Sequence, residues 1–208
     1  MTDVKQGSGD DNAHNGRMIW LVRHGESDWN ASGLVQGQAE GPVLTAAGRE
    51  QAKRLAQLVR RFPIRRIVTS DLTRAVETAS VIGQKLKLRW DLVPALRERN
   101  FGEAQGSPVS ALHPEWSGVE DGRVVDADAC PPGGESVRAL RDRVVDFFGD
   151  LLRDEPEGDV LVVTHGGVIR VALSHCDRVP VAHMPWGDVP NAGLWLLSPR
   201  EIRPAVLL

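Results

Sequence analysis

The chain has no tyrosine, so its aromatic content falls to six tryptophans and four phenylalanines, read here as core or rim residues. It has only two cysteines, Cys130 and Cys176, too few and too far apart for a disulfide framework or a zinc ribbon. A reducing, cytoplasmic setting is therefore expected. Nor is there an excess of positive charge: 25 Lys and Arg against 28 Asp and Glu leave a formal net charge of -3. With a pI near 6.1, the surface is not built to hold nucleic acid or an anionic membrane, and any basic site must be small. No apolar run approaches the length that crosses a bilayer, and the first residues lack the apolar core of a signal peptide. What remains is a soluble, intracellular protein. Nothing in the sequence sets its oligomeric state.

At 208 residues the chain fits one domain. Residues 1–16 are polar without periodicity and read as a flexible tail, leaving 17–208 as the single domain. Met18 to Val22 is a short apolar run of the kind buried on both faces of a parallel sheet. A helical pattern follows from Thr45 to Arg61, with Thr45 as N-cap. A second strand is expected over Arg65–Ser70 and a second helix over Asp71–Leu86, capped by Ser70 or Asp71. The stretch from Pro94 to Gly134 is rich in Pro and Gly and reads as an irregular cap segment. Beyond it come a helix from Glu135 to Arg153, the strong strand signal Asp159–Thr164 and a short helix from Val168 to His175. Leu194–Leu197 and Ile202–Leu207 read as edge strands. This alternation predicts an α/β fold, a three-layer sandwich with a largely parallel central sheet and helices on both faces.

In such sheets ligands bind beyond the carboxyl ends of the strands, where helix N-termini present unsatisfied N–H groups. Three stretches meet that description: Arg23-His24-Gly25, Ser70 to Arg74, and His165-Gly166-Gly167. Two arginines and two histidines converge there. Guanidinium groups, imidazoles and helix N-termini together make a dianion site, and phosphate is the commonest dianion in a cell.

Five stretches in order carry a resemblance: RHGESDWN (23–30), SDLTRAVETA (70–79), LRERNFGEAQG (96–106), PGGES (132–136) and VVTHGG (162–167). The chain resembles the histidine phosphatase superfamily, which includes the cofactor-dependent phosphoglycerate mutases and a fructose 2,6-bisphosphatase domain. The resemblance implies that His24 is the nucleophile, that Arg23, Arg74 and His165 hold the phosphoryl oxygens, and that Glu98 is the acid/base. Asn30 and the backbone N–H of Gly166 match further phosphate contacts. These anion-binding groups are cationic or N–H donors, and no cluster offers the carboxylate and imidazole ligands of a divalent ion, so no metal and no cofactor are expected.

The chemistry asks for the same residue types. A neutral imidazole is a nucleophile, and with an ordinary pKa of about 6.5 a histidine reaches that state without a separate base. Neighbouring arginines disfavour the imidazolium and spread the charge of the equatorial oxygens during transfer. His165, protonated when phosphate is bound, would add a donor. An imidazole cannot protonate a departing alkoxide, which calls for a carboxyl group on the other side of phosphorus, and Glu98 is the candidate. Each residue also has a plainer reading: Arg74 as a surface residue pairing with Glu77 or Asp71, Asn30 as a turn cap, Glu26 as a partner of a helix macrodipole. His14, His113, His175 and His183 have no companions that suggest a metal site. Trp29 and Trp116 lie where a substrate wall would be.

The mutases of this family read E-R-H-Y-G and then Q-G-L-N-K, with a pair of arginines further on. Here the corresponding residues are Glu98-Arg99-Asn100-Phe101-Gly102 and Gln105-Gly106-Ser107-Pro108-Val109, and no Arg-Arg pair occurs between Gly106 and Gly134. That segment holds one arginine, Arg123, against Glu115, Glu120, Asp121, Asp126 and Asp128. A polyanionic substrate is poorly matched to it. The expected activity is a metal-independent phosphatase hydrolysing a small phosphorylated metabolite through a phosphohistidine. A phosphoglycerate mutase-like phosphotransferase and a non-catalytic, phosphate-dependent binding protein are the alternatives.

Overall fold

A computed structural model describes residues 18–153, 158–197 and 202–206; the expected tail over 1–16 lies outside them. The first strand, β1 (Ile19–Arg23), turns Ile19 and Leu21 to one face and Trp20 and Val22 to the other. Both faces are covered, which is why the run is apolar throughout rather than alternating. After a single turn, α1 (Asp28–Ala31), comes α2 (Ala46–Val59), capped by Thr45 as expected. The Thr45 hydroxyl accepts the Gly48 N–H at 2.9 Å, a cap worth about 1 kcal/mol.

Next are β2 (Ile64–Thr69), α3 (Thr73–Leu86) and the short strand β3 (Trp90–Leu92), which the sequence reading did not anticipate. The start of α3 is a second correction. Neither Ser70 nor Asp71 caps it: Leu72 stands at that position with no side-chain hydrogen bond. Asp71 is taken up by Arg97 in a two-pronged pair at 2.7 and 2.8 Å, and Ser70 turns its hydroxyl inward.

Residues 94–134 are largely irregular. They hold three 3-10 turns, one turn of helix, α4 (Pro114–Ser117), and a hairpin of β4 (Val119–Glu120) and β5 (Arg123–Val124). Next comes α5 (Val137–Arg153), starting two residues later than expected. The Glu135 carboxylate binds Arg143 instead of opening the helix. The remaining elements are β6 (Asp159–Thr164), α6 (Gly166–Cys176), β7 (Leu194–Leu197) and β8 (Ile202–Val206). α6 starts two residues earlier than expected, at Gly166; helix propensity argues against two glycines there, but Glu98 occupies the space a side chain on Gly167 would need.

The six-stranded sheet has the order β3-β2-β6-β1-β7-β8. The first four strands run parallel, and β7 and β8 are antiparallel additions. One core lies between the sheet and α5 and α6, around Leu140, Val144, Val160, Val162 and Ile169. The other lies against α2 and α3, around Leu55, Val59, Ala79, Ile82, Leu161 and Val163. The protein is thus an α/β sandwich. Since β2, β6 and β1 are neighbours, the chain leaves their carboxyl ends at one place.

Candidate active site

His24 follows β1 and is buried. Its Nδ1 lies 2.7 Å from the Gly25 carbonyl, which can only accept, so Nδ1 carries the proton and Nε2 keeps its lone pair. Burial, and then the charges of Arg74 and Arg23, hold its pKa well below the ordinary 6.5. The imidazole is therefore neutral near pH 7, with its unprotonated nitrogen toward Arg74. Gly25 permits this geometry, because a Cβ there would come within 2.5 Å of the Gly48 carbonyl at the start of α2.

Arg74 reaches the same point from the first turn of α3. It is 1 % exposed and pairs with neither Asp71 nor Glu77. Its Nε donates to His24 Nε2 at 3.3 Å, and its two terminal nitrogens donate to the carbonyls of Ala39 and Gly37. Burial pushes its pKa down to about 10, so it stays charged at neutral pH. Arg23 donates to the Val189 carbonyl, while its buried Nε has no partner among the described residues.

His165 follows β6 at the N-cap position of α6, its ring centroid 5.1 Å from that of His24. Burial, followed by Arg74 and His24, holds it well below 6.5 as well. Its Nε2 meets Ser70 Oγ at 2.8 Å, and its buried Nδ1 has no partner among the described residues. Gly166 opens α6, so its N–H is one of the donors that no helical carbonyl satisfies. Glu98 closes the group. Its carboxylate accepts the Gly167 N–H at 3.1 Å through both oxygens and the Arg99 N–H at 2.8 Å.

Asn30 is tied in from the side. Its Oδ1 accepts from the Ser27 N–H and from the Asn191 side-chain amide, which also donates to the His24 carbonyl. Glu26 accepts the Thr45 hydroxyl at the start of α2, where its charge suits the helix N-terminus. His113, His175 and His183 are exposed, and His14 lies outside the described residues.

Sequence reasoning missed the supports. Asn191 and Ala192 both bind the His24 carbonyl, and Ala192 takes a left-handed φ of 57°; the Pro190-Asn191-Ala192-Gly193 turn was the available signal. Arg170 stacks on Trp186 and lays its guanidinium beside Gly166, four residues back on the same helix face, a spacing that was legible. Arg143 donates to the Glu98 and Ala95 carbonyls while paired with Glu135. The cap cations beside Glu98 are engaged elsewhere: Arg97 on Asp71, and Arg99 on the carbonyls of Ser117, Trp116, Ala129 and Glu135.

A neutral buried imidazole, two arginines, a second imidazole and an open helix N-terminus thus lie together at the carboxyl edge of the α/β sheet. Residues 19–208 match the family model described as the histidine phosphatase superfamily (branch 1), and the chain belongs to that family. It is 38 % identical over 165 residues to a protein of Yersinia enterocolitica described as a probable phosphoglycerate mutase, covering 75 % of this chain and 73 % of that one. Among solved structures it resembles a mycobacterial glucosyl-3-phosphoglycerate phosphatase in complex with VO3. That likeness has a TM-score of 0.77 at 32 % identity and covers 88 % of this chain and 92 % of the other. A second, titled mycobacterial hydrolase 1, gives a TM-score of 0.78 at 31 % identity over 90 % and 94 %.

Proposed function

We propose that the chain is a metal-independent phosphatase that hydrolyses a small phosphomonoester, with His24 as nucleophile and Glu98 as acid/base. His24 Nε2 attacks phosphorus while the P–O bond to the alcohol breaks, and Glu98 gives its proton to the departing alkoxide. Arg23, Arg74, His165 and the Gly166 N–H hold the equatorial oxygens, with Asn30 alongside. In the second step Glu98 takes a proton from water, the water oxygen attacks phosphorus, and the P–N bond breaks to restore the imidazole.

Water is favoured as acceptor over a second hydroxyl by one observation: Arg97 and Arg99, the cap cations flanking Glu98, are already bound to Asp71 and to four backbone carbonyls. They are not free to retain a phosphorylated intermediate by its other acid groups. Screening phosphorylated metabolites for released phosphate, ranked by kcat/KM, tests the reading. Phosphate moved to a second hydroxyl, with none released, would establish the mutase reaction that the Yersinia relative's name suggests. Binding without turnover on any ester would leave a phosphate-dependent binding protein.

A further inference from the structure

We infer that Ser70 is a positioning residue that selects the tautomer of His165, keeping Nδ1 protonated so that a neutral imidazole donates to the phosphoryl group. This rests on the phosphatase reading for its consequence, though not for its geometry. Ser70 follows the last residue of β2 and is fully buried. Its hydroxyl has one proton to give and two lone pairs. The Leu72 N–H donates to Oγ at 3.3 Å, and His165 Nε2 lies 2.8 Å away.

No other acceptor for that hydroxyl proton is present among the described residues. If Ser70 donates to Nε2, the serine is matched on both sides, Leu72 N–H to Oγ and Oγ–H to Nε2, and the one donor left over is the proton on Nδ1, available to an incoming anion. If His165 donates from Nε2, the buried serine proton is stranded. Nδ1, buried and without a partner among the described residues, would then present a lone pair to an incoming anion. The first arrangement turns a histidine into a fixed donor without charging it. A protonated His165 would carry an N–H on both nitrogens and strand the same serine proton. Burial opposes that charge too, and after it Arg74, His24, Arg23 and Arg143.

The sequence places Ser70 in the same motif as Arg74, where it reads as a helix cap. The structure gives it a different task, because α3 begins beyond it and the hydroxyl is turned toward β6. A tautomer set by the hydrogen bond on the far nitrogen is a familiar device in histidine ligands, and loss of such a partner lowers activity about 10- to 100-fold.

The test is long-range 1H–15N correlation on the full chain labelled in its histidine rings, near pH 7, with His165 assigned by its loss in His165→Asn. The expected pattern is a neutral ring protonated at Nδ1, retained when orthovanadate is added. In Ser70→Ala the pattern should shift toward the other tautomer, and orthovanadate affinity should fall about 10- to 100-fold. Ser70→Thr, which keeps the hydroxyl, should recover much of both. A wild-type ring protonated at Nε2, or on both nitrogens, would overturn the inference whether or not the variants fold. An unchanged ring in a folded Ser70→Ala would overturn it as well. Absence of turnover on every ester, with the Nδ1 pattern intact, would instead count against the phosphatase reading alone.

Discussion

Both carboxylate oxygens of Glu98 lie 3.1 Å from the backbone nitrogen of Gly167, at the opening turn of α6. A Cβ on Gly167 would fall 2.2 Å from Glu98 Oε1 and 3.2 Å from Leu140 Cδ2. The closest clash is with the movable end of a side chain, so Gly167→Ala should fold and displace the carboxylate. Misplacing a reacting group by about 1 Å can cost about 10²-fold in rate. We expect kcat/KM on an alkyl phosphate to drop by about that factor with little change in Tm. Unaltered kcat/KM would show that the Glu98–Gly167 contact does not set the position of the acid.

Stability should carry the mark of the two buried imidazoles. Burial, with Arg74 and Arg23, depresses the pKa of His24 and of His165 in the folded chain, whereas in the unfolded chain each takes a proton near 6.5. Below 6.5 the unfolded state therefore binds more protons, and stability falls as pH falls; above 6.5 the contribution is complete. Each group can add a slope of at most about 1.4 kcal/mol per pH unit. Urea unfolding in phosphate-free buffer between pH 6.5 and 5 should show a shallower slope for His24→Gln than for wild type. Equal slopes would mean that His24 is already protonated in the fold over that range.

Much of this arrangement was legible in the sequence because it lies where local pattern and chemistry agree. Asp159–Thr164 is apolar through its centre because it is covered on both faces, and β6 has those bounds. The positions of His24, Arg74 and His165 follow from strand ends that the pattern locates. Legibility failed where the determinant is a partner distant in sequence. Ser70 resembles a helix cap to any local rule, and only β6 beside β2 turns it toward His165. Asn191 binds His24 across 167 residues. Arg143 and Glu135 support the backbone of Glu98 through carbonyl groups, which leave no trace in residue type.

Metal chelation should leave the rate unchanged. The groups proposed to hold the phosphoryl oxygens are guanidinium, imidazole, amide and N–H donors, and a divalent cation among Arg23 and Arg74 would be repelled. Among the described residues no group of three or more His, Cys, Asp and Glu side chains is placed to bind a metal ion. Activity lost on dialysis against EDTA and restored by magnesium or zinc would refute the metal-free mechanism. Orthovanadate, which can take the place of a transferring phosphoryl group, should inhibit with or without EDTA.

The acid/base role of Glu98 separates by leaving group. An alkoxide needs a proton as it departs and a nitrophenolate needs little help, so the value of a positioned acid depends on the ester. For Glu98→Gln we expect a loss of about 10²- to 10⁴-fold on an alkyl phosphate. With p-nitrophenyl phosphate, transfer to His24 should be far less affected, because Nε2 is unprotonated and Arg74 still bears on it at 3.3 Å. The slow step then becomes hydrolysis of the phosphohistidine, where Glu98 would have activated water. Rapid mixing should show a burst of nitrophenolate followed by slow turnover, with acid-labile phosphate trapped on the protein. The burst should vanish in His24→Ala, which removes the attacking nitrogen but leaves both arginines. Equal losses in the first step for both esters would show that Glu98 only shapes the pocket, and the proton donor would then have to be sought elsewhere in residues 94–134.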